Sequence, residues 1–194
     1  NGPITAKGAG KAAQFIELCE QSQTPIIFLH NTTGFMVGSD AETTGIIRQG
    51  SKMIQAVASA RVPKISILLG GSFGAGNYAM CGRGFDPRFI FAWPNARTAV
   101  MGGEQAGKVL RIVSEEKMKR SGQPVDEAKL AALEAKTAEA LDKSSTALFS
   151  TAHLWDDGII DPRDTRKLLG FLLDTCFESE LRNLRKNTFG VPRH

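Results

Sequence analysis

A mostly parallel α/β domain is the fold this sequence predicts, and three observations predict it. Short apolar runs at 25–29 (PIIFL) and 64–69 (KISILL) read as strands buried in a sheet. Each run is followed by a glycine-marked loop, at 31–38 and 70–76, and then by a segment with helical apolar spacing. Strand, loop and helix alternate along most of the chain, without a 20–50-residue repeat or a low-complexity tract.

The elements follow in order. Thr5 caps a helix running through about Gln21, with Ala13, Phe15, Ile16 and Leu18 on its apolar side. The run 25–29 is almost wholly apolar, as expected of a strand covered on both faces. The loop 31–38 leads to a helix over about residues 41–60, whose inner stripe is Ile46, Ile47, Met53, Ile54 and Val57. Pro63 opens the next strand, which stops at Gly70-Gly71. A small-residue turn, Ser72-Phe73-Gly74-Ala75-Gly76, precedes a helix start at Asn77. Residues 89–93 form a strand, 98–101 a β-like piece, and Gly102-Gly103 opens another helix. Residues 104–143 read as two helices broken near Gly122-Gln123-Pro124, the second a surface arm rich in Ala, Leu, Glu and Lys. Asp161 caps the last long helix, with Pro162 at its first position and Asp164 in its first turn.

Composition narrows the function classes. At 194 residues the chain is one domain with a real core, and 42% hydrophobic with 23% charged residues is ordinary for a folded globular protein. Lys and Arg exceed Asp and Glu by 24 to 20, but they are scattered, and aromatics are few, so a nucleic-acid surface is not supported. No stretch approaches 18 consecutive apolar residues, so no membrane span is expected. Cys19, Cys81 and Cys176 are odd in number and far apart, which argues for buried apolar thiols in a reducing compartment and against a zinc site. The chain begins Asn1-Gly2-Pro3 without a signal-like segment and reads as cut from a longer protein.

The most informative stretch is KISILLGGSFGAGNYAMCGR at 64–83. A strand feeding a glycine turn into a helix leaves backbone N–H groups pointing outward, an arrangement that suits an anion, permanent or developing. Three templates match it. Gly70-Gly71-Ser72-Phe73-Gly74 fits GxSxG, with Ser72 as nucleophile, His153 as base and Asp126 or Asp142 as the acid. In a nucleophile elbow, however, the helix begins right after the serine, whereas here the turn continues. Gly74-Ala75-Gly76-Asn77-Tyr78-Ala79 fits GxGxxG/A, but Gly74 lies four residues beyond Gly70 and the next strand ends without an acid. The third template needs only the amides. His30, His153 and His194 show no paired metal-ligand spacing, and Asp156, Asp157 and Asp161 are read as turn and cap residues rather than catalytic carboxylates.

Five blocks carry a resemblance: GFMVG at 34–38, GGSFGAGNYAMCGR at 70–83, FAWPNAR at 91–97, VMGGEQA at 100–106 and LWDDGIIDPRDTR at 154–166. Together they strongly resemble the C-terminal half of the carboxyltransferase β subunit of biotin-dependent acyl-CoA carboxylases. GAGNYAMCGR and PNAR look like the 3-methylcrotonyl-CoA and geranyl-CoA group, where propionyl- and acetyl-CoA enzymes tend to have a YGGAY-type turn. The run STALFSTAHLWDDG at 145–158 leans toward the geranyl members.

The resemblance implies a crotonase-like spiral of ββα units in a single domain, 1–194, whose N-terminal partner half is absent from the sequence. It implies biotin, carried by a separate α subunit, and an acyl-CoA substrate, with no metal in this domain. Other partners would be the N-terminal half and further β subunits. The location would be cytoplasmic in a bacterium and the mitochondrial matrix in a eukaryote. In such enzymes carboxybiotin releases CO2, and the negative ureido oxygen that results would be stabilised by the amides of Ala75 and Gly76. The freed nitrogen would then act as base, and the dienolate would attack CO2 at its γ carbon. Gly34, Phe35, Gly74, Asn77 and Tyr78 would wall the biotin pocket, and Gly102 and Gly103 would contact biotin or a subunit interface. Gly76 would keep a Cβ out of the path of the biotin ring. Two other readings remain: a serine hydrolase using Ser72, and a non-catalytic assembly or carrier-docking module.

Overall fold

The computed structural model describes residues 2–122, 124–183 and 190; Gln123 and His194 lie outside them. Five parallel strands form one sheet: β1 (Gly2–Ile4), β2 (Ile26–Phe35), β3 (Lys64–Phe73), β4 (Phe89–Ala92) and β5 (Arg97–Ala99). The order is β1-β2-β3-β4, and β5 pairs with β3 beyond the end of β4. β4 runs beside Ile65–Leu68, and β5 beside Gly71–Phe73. Helices α1 (Ala6–Gln21) and α3 (Ile46–Ser59) cover one side, where Ala9, Ala13, Ile16, Met53 and Val57 meet Ile26 and Phe28. On the other side α8 (Thr165–Leu181) places Leu172 and Cys176 against Ile65 and Ile67. The result is a three-layer α/β/α sandwich.

Thr5 caps α1 as the sequence predicts, its hydroxyl accepting from the Gly8 amide at 3.1 Å. The buried stripe of α1 is Ala9, Ala13, Ile16 and Cys19, however, and Phe15 and Leu18 are exposed. Small alanines let α1 and α3 approach closely, so the large residues fall outside the contact. The helix expected at 41–60 is two, α2 (Ser39–Thr43) and α3, because Gly45 between them takes a left-handed φ of 83°. Ile47 turns outward as a consequence. β2 is longer than expected and absorbs most of the predicted loop; it alternates buried and exposed, with Ile27 and Leu29 uncovered in this chain. A strand of parallel sheet with one open face is a departure from the covered strand its apolar run implies.

The largest correction concerns Gly70-Gly71. These glycines do not stop β3. His30 pairs with Leu68 and Thr32 with Ser72, so β3 carries two extra residues between those pairs. A bulge of this kind bends the strand without ending it, and the missing Cβ of Gly70 makes room for the Asn31 side chain, whose Oδ1 would lie 2.5 Å from it. β3 therefore delivers the chain three residues further, to Phe73, and α4 (Gly74–Ala79) begins at Gly74 rather than at Asn77. The loop before β3 is fastened from both sides. Glu20 accepts from the Arg61 and Val62 amides at 2.7 and 3.0 Å, and buried Lys64 donates to the carbonyls of Val57 and Ala60 at the end of α3.

α5 (Gly103–Arg120) and α6 (Glu127–Ser144) form an antiparallel hairpin joined across by Arg111, which pairs with Glu127 and Glu134. α7 (Ala147–Ala152) follows and seats Ala147 beside Leu68 and Ile90. Asp161 caps a 3-10 turn at Pro162–Asp164 that leads into α8. All three cysteines are buried and free.

A Cβ on Gly107 would lie 2.6 Å from the Glu134 carbonyl oxygen. Gly→Ala in an open helix stabilises by about 1 kcal/mol. Here the sign is reversed: Gly107→Ala is expected to destabilise by about 1–3 kcal/mol in urea unfolding, and a stabilised variant would show that the two helices do not touch there.

Candidate active site at the β3–α4 turn

β3 ends at Phe73, and Gly74 turns the chain with a φ of 52° and no room for a side chain, since a Cβ would lie 2.8 Å from the Val100 carbonyl oxygen. Ala75 and Gly76 are the second and third residues of α4. Amides of a first helical turn have no carbonyl four residues back within the helix, and the N-cap residue Phe73 supplies no side-chain acceptor. Ala75 is exposed on the lip between two clefts. One, of about 320 Å³, is lined by Gly74, Ala75, Asn77, Tyr78, Thr98 and Val100, among others. The other, of about 360 Å³, is mostly apolar and includes Phe35, Val37, Ile46, Ile47 and Ile54.

The residues that the resemblance assigns to the site divide between the clefts and the packing beneath them. Gly34, with a φ of 120°, is buried under α4 and is not a pocket wall. A Cβ on Gly76 would lie 2.8 Å from the Gly34 Cα, so Gly76 is a glycine because the helix lies directly on β2. A clash with an approaching ring is not needed to explain it. Phe35 lines the apolar cleft and packs against Gly50. Tyr78 is half-exposed at the mouth of the first cleft, edge-on to Phe85 at 5.8 Å, and is no core tyrosine. Gly102 is the N-cap of α5, with open space around it. Gly103 is buried under α6, with a Cβ position 2.6 Å from the Ala138 carbonyl oxygen, which makes it a packing residue outside both clefts.

Ser72 is fully buried, and its neighbour is His30, not His153. The Ser72 Oγ lies 2.8 Å from His30 Nδ1, and Asn77 Nδ2 donates to the same oxygen at 2.9 Å. The Thr98 hydroxyl donates to the Ser72 carbonyl at 3.1 Å. His153 is exposed, hydrogen-bonded through Nδ1 to the Phe149 carbonyl and stacked on the Phe149 ring. A serine without solvent access and without His153 is not a hydrolase nucleophile. In the sequence His30 follows the predicted strand 25–29 and Ser72 lies in the turn after Gly70-Gly71, so the pair becomes visible only once β3 is seen to run on to Phe73.

Beyond Asn77, Tyr78 and Thr98 the first cleft continues into a more enclosed pocket of about 310 Å³ that reaches Arg83, Trp155 and Asp156. Asp156 does more than make a turn. Its Oδ1 accepts from Thr151 and from the Gly158 amide, its Oδ2 has no partner, and burial raises its pKa. Asp157, the turn residue, accepts from the Ile90 amide. Among the described residues no group of three or more His, Cys, Asp or Glu could hold a metal, and no helix is long and apolar enough to cross a membrane.

The carboxyl transferase domain family matches residues 1–188. The chain belongs to that family. It is 48% identical to a probable methylcrotonoyl-CoA carboxylase β chain of Drosophila melanogaster over 100% of this chain and 33% of the relative. It is 47% identical to a biotin-dependent 3-methylcrotonyl-coenzyme A carboxylase β1 subunit of Mycobacterium tuberculosis, over 97% of this chain and 36% of the relative. Among solved structures it is similar to the β subunit of Pseudomonas aeruginosa geranyl-CoA carboxylase, with 68% identity and a TM-score of 0.91 over 100% of this chain and 36% of that one. The chain thus spans about a third of the length of its relatives. The transcarboxylase 12S subunit, 29% identical, matches with a TM-score of 0.77 over 97% of this chain and 34% of that one. The α/β class with a parallel sheet and the crotonase-like carboxyltransferase architecture both hold for this family member.

Burial lowers the His30 pKa to about 4, from an ordinary value of 6.5. The unfolded chain therefore takes up this proton first. The histidine's contribution is full above pH 6.5 and drains away as the pH falls toward 4. The loss amounts to something on the order of 3 kcal/mol. Urea unfolding at pH 7 and pH 4.5 should show a smaller acid loss in His30→Asn than in the native chain; equal losses would place the titration elsewhere.

Proposed function

We propose that this chain is the C-terminal carboxyltransferase domain of the β subunit of a biotin-dependent acyl-CoA carboxylase. The substrate we favour is a branched enoyl-CoA, geranyl-CoA ahead of 3-methylcrotonyl-CoA. The 68% identity to a geranyl-CoA carboxylase β subunit, against 44–50% for methylcrotonyl-type β chains, supports that order. One observation carries the chemistry: the lining of the 320 Å³ cleft at the β3–α4 turn includes the first turn of α4 and no carboxylate, histidine or lysine, Asp156 being held in the adjoining pocket. A site of that kind can stabilise a developing negative oxygen but cannot itself remove a proton at neutral pH.

That donor set fits a ureido group, whose oxygen is a strong acceptor and whose rings are compact and uncharged. Biotin, when bound, supplies the carboxyl group and, on its release, both a negative oxygen and a basic nitrogen. The residues of this chain then have limited tasks. The Ala75 and Gly76 amides donate to the oxygen, and because β3, α4 and Gly34 hold them in place beforehand, no reorganisation is needed when charge appears. Tyr78, Thr98 and Val100 enclose the cleft and thin the water around it. Asn77 is tied to Ser72 and shapes the cleft from behind.

The remaining parts of the β subunit, further β subunits and a biotin-carrying α subunit are the proposed partners. Support comes from the one-third coverage of the relatives, from the hexamer named for transcarboxylase 12S, and from an apolar groove between Ile27, Leu29, Leu69 and Leu169 on the open face of β2. The fly and Arabidopsis relatives are named mitochondrial, which supports a matrix location if the source is a eukaryote. An assembly role is compatible with this reading, because the isolated chain would hold only part of a site.

Gly76→Pro is an unsuitable test, since any side chain there strikes Gly34. Ala75 is exposed and helical, so proline can replace it and remove one N–H without a steric collision. In the full-length subunit with its biotin-bearing partner, Ala75→Pro is expected to lower kcat by about 10²–10³-fold, while Ala75→Ser, which keeps the N–H, stays near the native rate. Native activity in a folded Ala75→Pro enzyme would remove the donor role. A structure with bound biotin should place its ureido oxygen about 2.7–3.2 Å from the Ala75 or Gly76 nitrogen. The isolated chain should carboxylate no acyl-CoA, and turnover by a purified monomer would refute the divided site.

A further inference from the structure

We propose that the buried chain of hydrogen bonds from Asn77 through Ser72 to His30 is a positioning network that holds the Ala75 and Gly76 donors in place. The proposal rests on the donor role of those two amides. It assigns His30 and Ser72 as positioning residues, neither of which reaches the cleft.

α4 has six residues and its N-cap residue makes no side-chain cap. A helix that short does not hold itself in water, since nucleation costs more than one turn of hydrogen bonds returns. Its underside is fixed sterically, Gly76 on Gly34. The Gly34 backbone and Thr32 Cγ2 under Gly76, with buried Ala79 in the core, set how close the helix lies, but such apolar contacts are less directional about the helix axis than a hydrogen bond. Rotation is what decides where the first-turn amides point. The directional contact from α4 to the sheet at this level is Asn77 Nδ2 to Ser72 Oγ, at 2.9 Å.

Donor and acceptor roles along the chain follow from counting protons. Asn77 donates to Ser72 Oγ, so the serine hydrogen is free to go to the second neighbour, His30 Nδ1, at 2.8 Å. We assign His30 Nδ1 as the acceptor of that hydrogen, which places the proton of the neutral ring on Nε2, toward the Met80 carbonyl. No hydrogen bond of ordinary geometry closes at Nε2, although the Met80 carbonyl at the far end of α4 acts on the ring and raises its basicity slightly. The network therefore runs from the first turn of α4, through β3, to β2, and returns toward the last residue of the helix. Ser72 and His30 are each fully buried. A protonated imidazole would point a second donor at Ser72 and leave the serine hydrogen without an acceptor. Burial keeps the ring neutral, which preserves the two hydrogen bonds that join Asn77, Ser72 and His30.

Two apolar residues of similar volume would fill the same space at less electrostatic cost. They would not fix a rotation. A buried polar chain that ends on a six-residue helix beside the cleft is accounted for by the direction it imposes.

The test uses the full-length β subunit assembled with its biotin-bearing partner, and reads kcat, KM for the acyl-CoA and melting temperature. His30→Asn puts an acceptor where Nδ1 was; His30→Gln places its amide at the Nε2 end and leaves Ser72 without one. We expect His30→Asn to retain kcat within about threefold, and His30→Gln and Ser72→Ala to lose about five- to twentyfold, with KM changed less than twofold. Equal loss in the Asn and Gln variants, a change in KM alone, or native activity per folded molecule in Ser72→Ala would each overturn the proposal. Should the histidine variants not assemble, Ser72→Ala, which removes one atom, decides by itself. Ala75→Pro in the same assay separates the two levels. A crippled Ala75→Pro beside fully active Ser72→Ala and His30→Gln refutes the network alone, whereas a fully active Ala75→Pro refutes the donor role.

Discussion

Gly76 rests on Gly34 with no side chain between them. The ideal Cβ position of Gly76 is 2.8 Å from the Gly34 Cα, so the first turn of α4 sits on the backbone of β2 as closely as two chains can approach. Much of the local architecture serves that contact. Gly34 needs its positive φ, β2 must run on to Phe35 to reach the helix, and β3 must extend past two glycines to bring Gly74 alongside. A methyl group at Gly76 would lift α4 from β2, whereas at Gly34 the backbone conformation, with a φ of 120°, is what calls for glycine.

A second constraint is chemical. Stabilising an oxygen anion by backbone donors requires that nothing nearby compete for the anion's role or for the donors. The cleft meets this with amide, hydroxyl and aliphatic groups, and the one fully buried histidine of the region is turned away into the sheet and kept neutral. The family relationship supplies the reaction class, and the proposed donor role is the reading that asks least of the side chains in this cleft.

The fold class was legible because apolar runs and glycine loops alternate strictly enough to count strands, and Thr5 and Asp161 cap where their types predict. The boundaries were less legible where glycine had two meanings. Gly70-Gly71 reads as a stop but makes a bulge, since the decision lies with Asn31 on the neighbouring strand, which local sequence does not report. Ala75 and Gly76 were singled out by motif, and the structure adds a reason for Gly76 that the motif does not carry: its Cβ position meets Gly34, forty-two residues earlier in the chain. Phe15, Leu18 and Ile47 were assigned inward from apolar spacing, whereas the buried α1–α3 contact is made by Ala9, Ala13, Ile16, Met53 and Val57. His30 and Ser72 were visible one at a time; their pairing depends on the strand register, and the bulge shifts that register by two residues just where they meet.

β3 acquires its neighbours on one edge in two instalments, β4 along its first half and β5 along its second. β5 has only three residues, and it is held in turn by the far end of the α5–α6 hairpin, where Arg97 donates to the Asp142 carbonyl and the Thr98 amide to the Ser145 carbonyl. In folding terms, the half of β3 that carries Ser72 and launches α4 can close only after a loop of some forty residues has gone out and come back. Such closure costs entropy that local contacts do not repay. The second half of β3 thus depends on long-range closure in a way its first half does not, even though Ser72 within it is fully buried.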